Sequence, residues 1–215
     1  MPQELEIKLT APNQKILTAL LSDPEVRHAS GGQLPQDHSY SAHYADTKTR
    51  QLLKQRFAFR SCRRTPHEVR VGLKGGGSVV EGVGAWEEVE QTLPAPVNRP
   101  DQLPDGALKR RLCSMISADA ALLPLLATHI KRQTLVLTLH DDTQAEMALD
   151  FGYVEAGGKT QRICELELEL LTGDFEVIRA FALVLKDRYE LQFARGSKFS
   201  AGLALLGMSG EFDKP

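Results

Sequence analysis

The chain has 215 residues, 42% of them hydrophobic, which is enough apolar material for one core or one large barrel. A formal net charge of −2 and a pI near 6.3 argue against a nucleic-acid partner. No apolar run approaches the roughly 20 residues that span a bilayer, no signal-peptide pattern opens the chain, and the 3 cysteines lack metal-type spacing, so the expectation is a cytoplasmic protein with reduced thiols and no membrane partner.

The first element is a strand. In Glu4-Leu5-Glu6-Ile7-Lys8-Leu9 the leucines and isoleucine fall on one face and the charges on the other. Ala11–Leu21 reads as a helix with Pro12 in its first turn and Ile16, Leu17, Leu20 and Leu21 as its apolar stripe. Ser30-Gly31-Gly32 is a loop. Gln36–Ala45 is a strand, after which Asp46 caps a short helical turn through Leu52-Leu53. Gln55–Arg63 and Glu68–Lys74 pair as a hairpin. Gly75-Gly76-Gly77 then ends the second strand as a hairpin tip; no helix follows it, which argues against a phosphate cradle.

Val79–Leu93 is a strand carrying Glu81, Glu87, Glu88 and Glu90, and Pro94–Pro104 is a proline-rich loop. Asp105–Thr128 carries the longest helical pattern, with Leu108, Leu112, Met115 and Ile116 in phase and Pro124 as a kink or a second start. Its Lys109-Arg110-Arg111 run fits a solvated face. Strands resume at Ile130–Leu139, Gln144–Phe151 and Thr160–Leu171, joined by Asp141-Asp142 and Gly157-Gly158 turns. Asp174 caps a helix through Leu185, Leu191–Phe193 is extended, Phe199–Leu206 is a small helix or turn, and the last residues fray.

The sum is an α+β chain of seven or eight antiparallel strands in a single domain over residues 1–215. Glu165-Leu166-Glu167-Leu168-Glu169-Leu170 repeats the alternation of the first strand. Either run alone fits a half-buried surface strand. Paired inside a barrel, four or five carboxylates facing one lumen repel each other and call for a hard cation with oxygen ligands, Mg²⁺ or Mn²⁺. No zinc motif, nucleophile elbow or P-loop competes with that reading.

Glu4-Leu5-Glu6-Ile7-Lys8 is similar to the E-x-E-x-K signature of the CYTH superfamily, the triphosphate tunnel metalloenzymes, and further matches follow in family order. Tyr44-Ala45-Asp46-Thr47 resembles Y-x-D-T, Arg60 lies in the position of a basic strand, and Lys74 in that of a strand lysine. Arg132 resembles the arginine opening the second half, Glu146 to Gly152 resembles E-x-A-L-D-x-G, Glu165 to Leu170 resembles E-L-E-L-E, and Ser197-Lys198 a terminal serine–lysine. The resemblance implies an eight-stranded antiparallel β-barrel, a tunnel with helices packed outside. It implies metal-dependent hydrolysis of a triphosphate, inorganic triphosphate by default, by in-line attack of water. Glu4, Glu6, Asp150, Glu165 and Glu167 become the candidate metal ligands. Lys8, Arg60, Lys74, Arg132 and Lys198 become the triphosphate contacts, with Lys8 and Glu167 in catalytic roles and Lys8 touching phosphate or helping to activate the water. A lysine base implies an alkaline optimum.

Two expected cations are absent: Cys62 stands in an Arg-x-Arg position and Trp86 in an Arg-x-Glu element, unless a bulge brings Arg63 or Arg64 inward. Losing them weakens polyanion binding and keeps other functions in view: a non-catalytic module for polyphosphate or a nucleotide, a thiamine triphosphatase, or a class IV-type adenylate cyclase. The partner is a small-molecule triphosphate or polyphosphate, with a homodimer left open.

Overall fold

The computed structural model describes residues 3–65, 67–80 and 82–208; the side chains of Glu4 and Arg64, the residue Glu81, and the chain beyond Met208 lie outside the described residues. Among the described residues nine strands form one sheet: β1 (Gln3–Thr10), β2 (Gln36–Asp46), β3 (Phe57–Thr65), β4 (Glu68–Val80), β5 (Val83–Leu93), β6 (Leu123–Thr138), β7 (Gln144–Ala156), β8 (Lys159–Thr172) and β9 (Gln192–Phe193). Their order is β5-β4-β3-β2-β6-β7-β8-β1-β9, and β1 also pairs with β5. That pairing closes the first eight into an antiparallel ring, which removes the free edges. β5 covers Gln3–Ile7 of β1, and the two-residue β9 pairs with Leu9 and Thr10 further along the same strand.

Two cores wrap the ring from outside. Ile7, Leu9, Leu135, Leu137, Met147, Leu149, Leu166 and Leu168 point outward and pack on Leu17 of α1 (Gln14–Ala19), Val26 of α2 (Pro24–Ala29), and Ile178, Ala182 and Leu185 of α4 (Phe175–Arg188). Each such side chain contributes about 1.5–3 kcal/mol when fully buried. On the far wall Phe57, Phe59, Val69, Val71 and Leu73 pack on Leu108 and Leu112 of α3 (Ala107–Cys113). Carboxylates fix the connections. Asp46 accepts from the backbone N–H groups of Thr47, Leu52 and Leu53 at 2.6, 3.0 and 2.9 Å, and Asp174 caps α4 through Glu176 at 2.9 Å. Asp23 caps α2 and also holds Arg188 and Tyr189 at the end of α4.

A third core lies inside the ring. Phe199 and Leu203 of α5 (Lys198–Leu205) pack on Ala42, Ala58, Cys62, Trp86, Ile130, Val154 and Ile163. Gly202 permits this approach, since a Cβ there would meet Leu126 Cδ2 at 2.6 Å. The barrel is therefore not hollow and wet along its whole length, and one of its helices sits inside.

Four further readings change. The helix after β1 is shorter, giving way to a 3-10 turn at Leu20–Ser22, and α2 follows it. Only Ala107–Cys113 of the Asp105–Thr128 pattern is helical; Leu123 already belongs to β6. Gly75 and Gly76 are not a hairpin tip but lie within β4, and Gly75 allows the chain to cross Arg56, whose carbonyl would sit 2.2 Å from an added Cβ. The strand read from Val79 begins at Val83.

Candidate active site

The alternation that buries leucines outside the ring turns a charged set inward. The lumen is a cavity of about 830 Å³ lined by, among others, Glu6, Lys8, Arg60, Lys74, Arg132, Glu167 and Lys198. A larger groove of about 1630 Å³ runs along the outer wall past Ser41, His43, Arg63 and His129, but buried charge collects in the lumen.

Strand register builds the first cluster. Arg132 on β6 lies opposite Asp150 on β7, Asp150 lies opposite Glu165 on β8, and Glu167 lies opposite Lys8 on β1. Arg132 grips Asp150 with two hydrogen bonds of 2.6 Å and donates to Glu167 at 2.5 Å. Lys8 Nζ is 2.9 Å from Glu167 and 3.4 Å from Glu6. Ser197 caps α5 through the Ser200 N–H at 3.1 Å, which orients the first helical residue, Lys198, inward. Its ammonium lies 2.7 Å from Asp150, Glu165 and Glu167 alike.

Asp150, Glu165 and Glu167 are all buried, and one ligand oxygen from each lies within 4.8 Å of the others. The approach of Lys198 to Glu165 Oε2 is off the line of a hydrogen bond, so this buried oxygen has no donor. A ring of three carboxylates around one cation, with an oxygen left over, is a donor set that fits a hard divalent ion. The Lys198 ammonium is the stand-in at its centre. Glu6 is buried beside this set and accepts from Trp86 Nε1 at 3.2 Å; the backbone of Glu4 faces Trp86 across β1 and β5, and its side chain lies outside the described residues.

The charges set each other's protonation. Burial pushes the Glu167 carboxyl up, but Lys198, Lys8 and Arg132 together hold it well below the usual carboxylate range. Burial likewise works against the Lys8 ammonium and is outweighed by Glu167 and Glu6, so Lys8 keeps its proton. Lys198 is raised in the same way by Asp150, Glu165 and Glu167 against its burial. The nearby Tyr40 phenol is pushed up to about 12 by burial and by Asp150.

The second cluster occupies β3, β4 and β5. Arg60 Nη2 lies 2.6 Å from Glu90 and 3.2 Å from Glu88, and Lys74 Nζ lies 3.5 Å from Glu88. Cys62 and Trp86 both face the lumen, so the two missing cations are replaced by neutral groups there. The register does shift between Arg63 and Thr65, but Arg63 lines the outer groove, so the bulge does not restore it. Arg70, Tyr40 and Thr128 also line the lumen and were not singled out from the sequence. For Arg70 the signal was available: it lies two steps of two from Lys74 on one strand.

A closed antiparallel barrel whose lumen pairs buried carboxylates with buried lysines and partly buried arginines defines the class of fold and site. The chain belongs to the CYTH domain family, whose model matches residues 2–202. It is 29% identical over 163 residues to an inorganic triphosphatase of Haemophilus influenzae, across 75% of this chain but only 44% of that protein, so it spans less than half the length of that curated relative. Its fold is similar to that of a Hippeastrum protein described as a candidate adenylyl cyclase with a dominant triphosphatase activity. That match has a TM-score of 0.69 at 19% identity and covers 94% of this chain and 95% of that one. A candidate adenylate cyclase of Bacillus halodurans aligns with a TM-score of 0.58 at 21% identity, covering 94% of this chain and 98% of that one.

Proposed function

We propose that this chain hydrolyses a linear triphosphate, inorganic triphosphate first, to diphosphate and phosphate in a divalent-metal-dependent reaction. The observation that carries the reading is the buried ring of Asp150, Glu165 and Glu167 interleaved with Lys8, Arg132 and Lys198. Charges this expensive to desolvate are not kept for stability alone.

Asp150, Glu165 and Glu167 would hold the metal, with Glu6 beside them and Glu4 a further candidate from the resemblance in sequence, and Mg²⁺ or Mn²⁺ would supply charge neutralisation for phosphate oxygens. The protein's own groups do the rest. Arg60 and Arg132 offer planar forks and Lys8, Lys74 and Lys198 point charges, which together fix the register of the substrate and offset its four or so negative charges. Lys8 stays an ammonium in the metal-free protein, which suits a contact with phosphate oxygen that gains charge as the anhydride bond breaks. Glu167, held as a carboxylate, orients the attacking water. The water oxygen bonds to the terminal phosphorus as the bridging oxygen leaves with diphosphate, and the water's proton passes to the released phosphate. Positioning and electrostatics supply most of the rate.

One observation favours a second substrate. Cys62, Trp86, Tyr44 and Phe199 give part of the lumen a neutral lining, which suits an organic triphosphate such as thiamine triphosphate or ATP. Phosphate release from inorganic triphosphate, thiamine triphosphate and ATP, each with Mg²⁺, with Mn²⁺ and with a chelator, separates these. Release from inorganic triphosphate that stops on chelation supports the main reading. Binding without release identifies a non-catalytic module, cyclic product from ATP a cyclase, and unchanged release with the chelator ends the metal reading.

A further inference from the structure

Arg70 stands on the lumen wall where nothing so far gives it a task. It lies on β4, directly opposite Cys62 of β3 and on the same face as Lys74, and its side chain, 42% exposed, lines the cavity. Its ion-pair partner is Glu90 at 3.3 Å, and the same carboxylate receives Arg60 at 2.6 Å. Glu90 reaches both because of a gap in the row Tyr44–Arg60–Gly72–Glu90 that crosses the wall. Gly72, between Arg70 and Lys74 on the inward face, has no side chain, and a Cβ there would meet Glu90 Cγ at 2.9 Å. Glu90 therefore lies across the strand and draws two guanidinium groups to one point. Arg60 and Arg70 hold its carboxyl below its ordinary value although burial pushes the other way.

Resting on the triphosphatase reading, we propose that Arg70 is a substrate-binding residue, forming with Arg60 a two-arginine seat for one phosphoryl group that Glu90 assembles before the substrate arrives. Glu90 is a positioning residue in this scheme. A carboxylate held by two guanidinium groups marks a place that a phosphoryl group, with more charge and more acceptor oxygens, takes over by the same fork geometry. The half-exposed Arg70 is free to follow the phosphate with little cost to the fold, and it returns to the β3–β4 wall a cation that the neighbouring Cys62 does not provide.

The test uses the full chain with inorganic triphosphate as probe. Calorimetric binding is measured in the presence of Ca²⁺ and steady-state hydrolysis with Mg²⁺, for the wild type, Arg70→Ala, Arg70→Gln and Arg70→Lys. The expected result is a rise of about five- to tenfold in Kd and KM for Arg70→Ala and Arg70→Gln, with kcat within about twofold and only partial rescue by Arg70→Lys, which returns the charge without the fork. Circular dichroism melts of the same variants check that the fold is retained; Arg70→Gln, which keeps most of the stem, serves if Arg70→Ala does not fold. Equal Kd in the wild type and both neutral variants overturns the assignment of Arg70 while leaving the triphosphatase reading intact. A fall in kcat at unchanged Kd overturns it too, because a seat for the ground-state polyanion must act on binding. A wild-type chain that neither binds nor hydrolyses triphosphate overturns the broader reading and this one with it.

Discussion

Glu165 is the member of the carboxylate ring that pairs with Lys198 but is not held by Arg132. Its Oε2 atom is buried without a hydrogen-bond donor, whereas Asp150 and Glu167 each hold Arg132 as well as Lys198. Glu165→Ala should therefore remove one of the three carboxylates around the Lys198 ammonium, and with it the oxygen most in need of a cation, while leaving the Arg132 pairs to Asp150 and Glu167 standing. The Kd for Mn²⁺ should rise at least about tenfold by calorimetry, with turnover falling in parallel and the thermal midpoint nearly unchanged. Unchanged Mn²⁺ affinity would sink the assignment of the metal site. Such residues were legible in the sequence because closely spaced carboxylates on an alternating strand have few structural uses. The sequence shows Trp86 as a missing cation or as a surface for stacking an organic substrate: that its indole donates to Glu6 depends on the β1–β5 pairing, which joins residues 80 apart.

At the level of elements, the join between α2 and α4 is the clearest test. Asp23 caps α2 through the N–H groups of Glu25 and Val26 at 2.8 and 3.3 Å and receives Arg188 at 2.6 Å and Tyr189 at 3.0 Å. Burial alone would raise its carboxyl, but these donors, Arg188 first, hold it below its ordinary value. An unfolded chain then takes up the proton before the folded one does. The stabilisation is full above about pH 4 and is lost as pH falls through the folded value. Asp23→Ala should cost about 2–3 kcal/mol in urea denaturation at neutral pH, and the gap to wild type should narrow in acid. A gap that does not change with pH would show that the cap does not depend on ionised Asp23. Gly75→Ala offers a second check: with Arg56 O 2.2 Å from the new Cβ, β3 and β4 must separate, at a cost of about 1–3 kcal/mol. A neutral substitution would restore the hairpin-tip reading. Elements with one wet and one dry face, such as β1, β7 and β8, could be read from their period. The first part of β6, ahead of Ile130, could not, because Leu125, Leu126 and Ala127 are buried in succession, Leu125 and Leu126 in the same core as Phe199 and Leu203 of α5. A strand buried on both faces loses its alternation and, after α3, imitates more helix. That α5 enters the ring leaves no local mark, since an apolar helix packs equally well inside or out.

For the molecule as a whole, the closed ring holds its lumen together by compensation. Lys8, Arg132 and Lys198 face Glu6, Asp150, Glu165 and Glu167, so the cluster carries one more negative than positive charge before a metal or a polyanion enters. Lys198 is the pivot, being 2.7 Å from three of the four carboxylates and anchored on the helix that fills the apolar end of the barrel. Lys198→Met keeps the apolar stem of α5 and removes the charge. The three carboxylates then repel one another in a dry site, and the variant should lose about 3–5 kcal/mol at neutral pH. Added positive charge relieves that repulsion, so the variant's deficit should shrink as pH falls. A divalent ion answers the same need: Mn²⁺ at about 100 times its Kd should return about 2.7 kcal/mol. Urea denaturation of both proteins across pH, with and without Mn²⁺, decides it. A Lys198→Met chain as stable as wild type at pH 7, and no more responsive to Mn²⁺, would mean that the lumen charges do not act as one compensated set.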